Sequence, residues 1–143
     1  MEYNSDEALK LDNQLCFPLY AASRKVVGAY TPLLKPLGLT YTQYIVFMVL
    51  WEQDNIPVGE IGARLCLDSG TLTPLLKKLE KSGYITRERR KEDERTVYVC
   101  LTEEGRRLKD KARDIPKTIG QCLPLKREEA EVLYRLLYKI LDN

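Results

Sequence analysis

Cys16 lies in the stretch "NQLCFPLYAASRKVVGAY", two residues before Pro18 and fourteen before Tyr30, in a chain that contains no histidine. A thiol can serve as a nucleophile, a metal ligand or half of a disulfide, and each use needs a partner. Cys–His catalysis is excluded because the base does not exist. The four cysteines, Cys16, Cys66, Cys100 and Cys122, form no C-x-x-C pair, so a zinc site would need four scattered thiolates. No metal or other cofactor is implied. Stable structural disulfides are not expected in a reducing compartment. Two uses of Cys16 remain open on the residues alone. One is the small buried apolar residue that most free cysteines become. The other is a thiolate that a peroxide oxidises to sulfenate, with a helix N-terminus and phenols as the available activators. Leu15, Phe17, Leu19 and Tyr20 around it suit an alkyl or aryl hydroperoxide better than hydrogen peroxide. Cys66 and Cys100 read as packing residues.

A second set of residues has the chemistry of nucleic-acid binding. Net charge is only +2, which argues neither way, but eight basic residues against five acidic ones leave Lys77 to Arg95 at +3. Hydroxyls at Ser69, Thr71 and Thr73 can meet base edges. Lys77, Lys78, Arg87, Arg89, Arg90 and Arg95 suit phosphates or a minor groove. Asp93 is expected to pair with Arg95 and stiffen the charged loop that carries them. A solvated polar face without a ligand accounts for each of these features alone; their order along the chain favours DNA.

The elements that position these residues are six helices and a hairpin. The first helix runs from around Asn13 to Leu34, with Pro18 tolerated only if the helix starts close by. "TYTQYIVFMVLWEQ" opens on the capping-box pair Thr40 and Gln43, and its run from Tyr44 to Trp51 is apolar on nearly all sides, which predicts a buried central helix. "PVGEIGARL" is a short third helix. "LDSGTLTPLLKKLEKSG" is a fourth, capped by Asp68 or Ser69 and stopped at Gly83, with Leu72, Leu75, Leu76 and Leu79 as its stripe. Strands at 84–87 and 96–99 frame a long solvated tip. Thr102 caps a fifth helix that ends or kinks near Pro116, and "KREEAEVLYRLLYKIL" is the last.

Two short helices joined by "CLDS" and followed by a basic hairpin make a winged helix-turn-helix, so the fold class is mainly α (α+β). The 143 residues form a single domain, with the winged helix at about 40–102 and dimerisation helices at about 8–36 and 103–143. The amphipathic end helices need a partner, and a second copy is the simplest, because two-fold dimers match pseudo-palindromic DNA. There is no apolar run of the ~18 residues a membrane span needs. The acidic opening "MEYNSDEALK" has no signal core, so a cytoplasmic location is expected.

"LDSGTLTPLLKKLEKSGYITRERRKEDERTVYVCLTEEG" resembles the DNA-binding core of the MarR family of bacterial regulators, and the stretch from Leu11 to Glu52 resembles its organic-hydroperoxide-sensing, OhrR-like branch. The similarity spans about Leu11 to Gly120. It implies a homodimeric repressor that leaves its double-stranded operator when an organic hydroperoxide oxidises one cysteine. The family's reactive cysteine falls on Cys16, its two hydrogen-bonding tyrosines on Tyr30 and Tyr41, and its wing arginine on Arg95. Cys122 lies roughly where two-cysteine members carry a resolving thiol; one-cysteine members cap the sulfenate with a small thiol instead.

Two other readings compete. A regulator of the same fold could be controlled by a small aromatic ligand held non-covalently in the dimer cleft. A thiol peroxidase is disfavoured by the missing histidine and by the DNA-reading segment, so no enzyme is expected.

Overall fold

The computed structural model describes residues 4–142; the first three residues of the acidic opening stretch and Asn143 lie outside the described residues. Eight α-helices and three strands follow in the order α1 (Ser5–Ala8), α2 (Cys16–Leu34), α3 (Tyr41–Glu52), β1 (Ile56–Pro57), α4 (Val58–Leu65), α5 (Ser69–Lys81), β2 (Ile85–Arg90), β3 (Asp93–Leu101), α6 (Glu103–Ala112), α7 (Ile115–Cys122) and α8 (Arg127–Leu141). The architecture is mainly helical with a small antiparallel sheet of order β1-β3-β2.

α3 is the centre. Thr40 Oγ1 accepts the Gln43 N–H while the Gln43 side chain accepts the Thr40 N–H, so both halves of the expected capping box form. Tyr44, Val46, Phe47, Val49 and Leu50 of α3 are buried, in a core shared with Leu72, Leu76 and Leu79 of α5 and with Ile119 of α7. Trp51 Nε1 donates to the Gly105 carbonyl at 2.9 Å and ties α3 to α6. Asp68 caps α5 by accepting the Thr71 N–H at 2.8 Å, and Gly83, at φ +78°, ends the segment after it.

The fold departs from the expectation in three places. β1 is a third strand, pairing Ile56 with Val99 and Pro57 with Tyr98; two residues are too short to carry a period. The hairpin is longer than 84–87 and 96–99, and only Lys91 and Glu92 remain between the strands. Charge does not prevent pairing where side chains face solvent, and a bulge between Arg89 and Arg90 absorbs the register shift. The expected break near Pro116 lies between α6 and α7, with Pro116 in the first turn of α7.

No single helix among the described residues is long and apolar enough to cross a membrane. α8 has no buried residue: Leu133, Leu136, Ile140 and Leu141 are all exposed in the single chain. Leu15, Phe17, Leu19 and Tyr20 at the start of α2 are exposed too.

Candidate functional site

Cys16 is the first residue of α2, exposed, at a helix end that no side chain caps. Pro18 occupies the first turn, where its missing N–H breaks no helical bond. The helix continues without a break through Tyr30, so fourteen residues at the helical rise put these two about 21 Å apart along the axis. Cys16 and Tyr30 therefore do not meet within one chain.

Tyr30 does meet Tyr41. Their ring centroids are 4.8 Å apart, and Tyr44 joins them at 5.8 Å from Tyr30 and 6.5 Å from Tyr41. The cluster forms because the last turns of α2 fold back through Gly38, at φ +67°, onto the start of α3. Burial pushes all three phenols above their ordinary range; neighbouring Tyr41 adds to this at Tyr30 and Tyr44. They are neutral hydrogen-bond donors at neutral pH. From Tyr44 the contact continues to Trp51 at 6.3 Å, so the cluster touches the helix that anchors α6.

Of the other thiols, one differs from expectation. Cys66 is exposed rather than packed: it caps α4 in the left-handed conformation, φ +53°, and that turn directs it outward. Cys100 is half-buried in β3 and donates to Asn55 Oδ1 at 3.3 Å; burial, then the Glu88 and Asp54 carboxylates, push its thiol up. Cys122 is exposed at the end of α7.

On the helix-turn-helix and hairpin, Ser69, Thr71, Lys77 and Lys78 are exposed along α5 and Thr73 is half-buried. The arginines of the hairpin divide into two kinds. Arg87 is gripped by Glu80; Arg89 donates to the Glu94 carbonyl; Arg90 donates to Asn55 Oδ1 at 3.1 Å and stacks 3.6 Å over the Tyr98 ring. Arg95 is exposed, with no ion pair among the described residues. Asp93 does not form the expected ion pair with Arg95. Its carboxylate instead accepts the backbone N–H groups of Arg95 at 3.1 Å and Thr96 at 3.3 Å, because the tight turn directs those donors at it. Hydrogen bonding from Thr96, then from the Arg95 backbone, holds that carboxyl below its usual range. A cleft of about 690 Å³ lies between hairpin and helices, lined by Arg95, Arg89, Arg87, Thr73 and Val58 among others.

A model of the transcriptional regulators SarA/Rot matches residues 29–112. The organic hydroperoxide resistance transcriptional regulator of Bacillus subtilis (strain 168) is 49% identical over 98% of this chain and 95% of its own length. The chain belongs to the MarR family of transcriptional regulators, of SarA/Rot type. Among solved structures, reduced AbfR bound to DNA is 38% identical to this MarR-family regulator, with TM-score 0.79 and 96% of each chain covered. Disulfide-formed AbfR is 39% identical over the same shares, at TM-score 0.66; AbfR comes from Staphylococcus epidermidis. A mutant MarR from E. coli complexed with operator DNA matches at 27% identity and TM-score 0.81, covering 89% of this chain and 93% of its own.

Sequence reasoning places Tyr30 and Tyr41 in this regulator but misses Tyr44, which completes their cluster. The signal was present as the i, i+3 spacing of Tyr41 and Tyr44. It also misses Glu80 and Asn55, polar residues whose partners lie on other elements.

Proposed function

We propose that this regulator is a homodimeric, cytoplasmic repressor that binds a pseudo-palindromic operator and releases it when an organic hydroperoxide oxidises Cys16. The observation that carries this reading is the separation of Cys16 from the Tyr30–Tyr41–Tyr44 cluster along one continuous helix. A thiol exposed in one chain gains the phenols of this cluster only from a second copy, and the apolar residues beside it and on α8 are bare for that contact. A sensor at the subunit junction can change the spacing of two DNA-reading heads. Ser69, Thr71 and Thr73 face the major groove in this reading, Lys77 and Lys78 its phosphates, and Arg95 the minor groove.

The Cys16 thiolate attacks the terminal oxygen of the hydroperoxide, the O–O bond breaks, the alcohol leaves with the proton, and sulfur becomes sulfenate. The uncapped N–H groups of the first turn and the partner's phenols are what can hold the negative charge. Cys122 then attacks the sulfenic sulfur, a disulfide forms and the oxygen leaves as water. Its exposure and the disulfide state of AbfR support this step.

The test is operator binding at fixed salt with and without cumene hydroperoxide. The wild-type protein is expected to let go and Cys16→Ser to hold on; release of Cys16→Ser like wild type defeats the role of Cys16. Intact mass without reductant is expected to double after oxidation, and not in Cys122→Ser. Adducts on monomers would point to one-cysteine chemistry.

One observation favours the ligand-controlled alternative. A crevice of about 250 Å³ has Tyr44, Met48, Trp51 and Pro116 as apolar walls and carries Lys109 and Arg113. Release of Cys16→Ser by an aromatic carboxylate such as salicylate would support it.

A further inference from the structure

Glu80 stands in the last turn of α5, and Arg87 is the third residue of β2. Glu80 Oε1 accepts the Arg87 backbone N–H at 3.1 Å, while Oε2 accepts Nε at 3.0 Å and Nη2 at 2.7 Å. One carboxylate thus holds both the main chain and the side chain of the strand that leads into the hairpin. Of the ion pairs among the described residues, this is the one in which neither side chain exceeds 36% exposure. Partial burial shields it from the solvent screening that makes exposed pairs weak. The segment between the two, Lys81 to Thr86, turns through Gly83 at φ +78°, where the Tyr84 N–H donates to the Leu79 carbonyl at 3.1 Å and Thr102 donates to the Gly83 carbonyl. Those bonds hold the turn, and the three charge-assisted hydrogen bonds of Glu80 are the side-chain link that ties β2 back to α5 beyond it.

From this geometry we infer that Glu80 is a positioning residue for DNA recognition: through Arg87 it sets the wing against the recognition helix, so that the Arg87 guanidinium is a strut and not a DNA contact. The inference rests on the operator-binding reading above. It divides the hairpin's arginines by job. Arg87 orients the wing, and Arg95, without an ion pair among the described residues, is left to reach a phosphate or groove. Arg87 also lines the cleft beside Arg95, so the opposite assignment, a phosphate ligand merely parked on Glu80, is the rival to be beaten.

The two assignments predict opposite signs. Glu80→Gln removes one negative charge from the DNA-facing unit and frees Arg87, which on electrostatics alone tightens DNA binding. A strut predicts weaker binding. The probe is a duplex selected from a randomised pool by the wild-type protein, with Kd measured by fluorescence anisotropy over a range of salt. Glu80→Gln and Arg87→Met are each expected to bind about tenfold more weakly, and the double variant no more weakly than either, because both remove one interaction. The slope of log K against log salt should stay at its wild-type value in all three, whereas Arg95→Ala should lower it by about 0.9, one phosphate contact. Glu80→Asp keeps the charge and should recover part of the loss; it also serves if Glu80→Gln does not fold, as judged by thermal melting. Equal or tighter binding by Glu80→Gln, additive losses, or a lowered slope in Arg87→Met would each overturn the strut. Wild-type protein that selects no duplex would defeat the operator reading instead. The strut is then judged by the Arg87 Nε–H resonance, expected at neutral pH in wild type and absent in Glu80→Gln; its persistence there counts against it.

Discussion

Tyr30, Tyr41 and Tyr44 are held within 6.5 Å of one another, centroid to centroid, and burial favours their neutral form. The folded chain therefore keeps phenolic protons that the unfolded chain gives up near ~10. Above that pH the unfolded state binds fewer protons than the folded one, and stability falls as pH rises through the raised values. Urea unfolding should show this decline beginning at about pH 10. A titration of phenolate absorbance should find the three ionising above the ordinary tyrosine range. Tyr30→Phe should lessen the alkaline decline; an unchanged profile would argue that the cluster is not closed in solution. Cys100 shows the reverse of a sensor at this scale. Burial and two carboxylates keep its thiol protonated, so it should react with an alkylating probe far more slowly than Cys16.

Between elements, the joint of hairpin, α6 and α5 rests on two residues of the motif "LTEEG". Thr102 Oγ1 accepts the Gly105 N–H at 3.2 Å, capping α6, and its hydroxyl donates to the Gly83 carbonyl at 2.6 Å. Thr102→Ala should cost about 2 kcal/mol in urea unfolding, the sum of a lost cap and a lost hydrogen bond. Gly105 is buried, and a Cβ there would stand 2.2 Å from the Tyr84 carbonyl oxygen. That atom is backbone and cannot swing away. Gly105→Ala should lower the melting temperature sharply or prevent folding, while Gly120→Ala, with nothing within 4 Å, should not. Caps and helix stripes were legible in the sequence because they are set by residues three or four apart: Thr40 with Gln43, Asp68 with Thr71, Thr102 with Gly105. β1 and the tight hairpin turn were not, because Ile56 pairs with Val99 and the Asp93 acceptors act on backbone donors that exist only once the turn is made.

For the whole molecule, an apolar surface is left bare on the two end helices. α8 shows Leu133, Leu136, Ile140 and Leu141 to solvent, and the start of α2 shows Leu15, Phe17 and Leu19. Exposed patches of this kind mark interfaces. A homodimer through these helices should appear at twice the chain mass by sedimentation. Leu133→Glu with Leu136→Glu should sediment as a monomer and lose at least about tenfold in operator affinity, since two half-sites are then bound independently. A monomeric wild-type protein with full affinity would refute the arrangement.

The sequence alone determined the class of protein and the types of chemistry open to it. The order of helix, turn, helix and basic strands, with one thiol beside an apolar run and no histidine, needed only local spacing and composition. Cys16, Tyr30 and Tyr41 were singled out together by the resemblance to the MarR family, and the separation of Cys16 from Tyr30 followed from helical rise. Tertiary structure decided which partners these residues have. It closed Tyr44 onto the other two phenols, turned Cys66 outward, and bound Arg87 and Arg90 to Glu80 and Asn55 while leaving Arg95 without an ion pair among the described residues. The physical reason is one of range: caps and periodicity are contacts along the chain, whereas a side chain's hydrogen-bond partner across 7 or 35 residues exists only after the elements have packed.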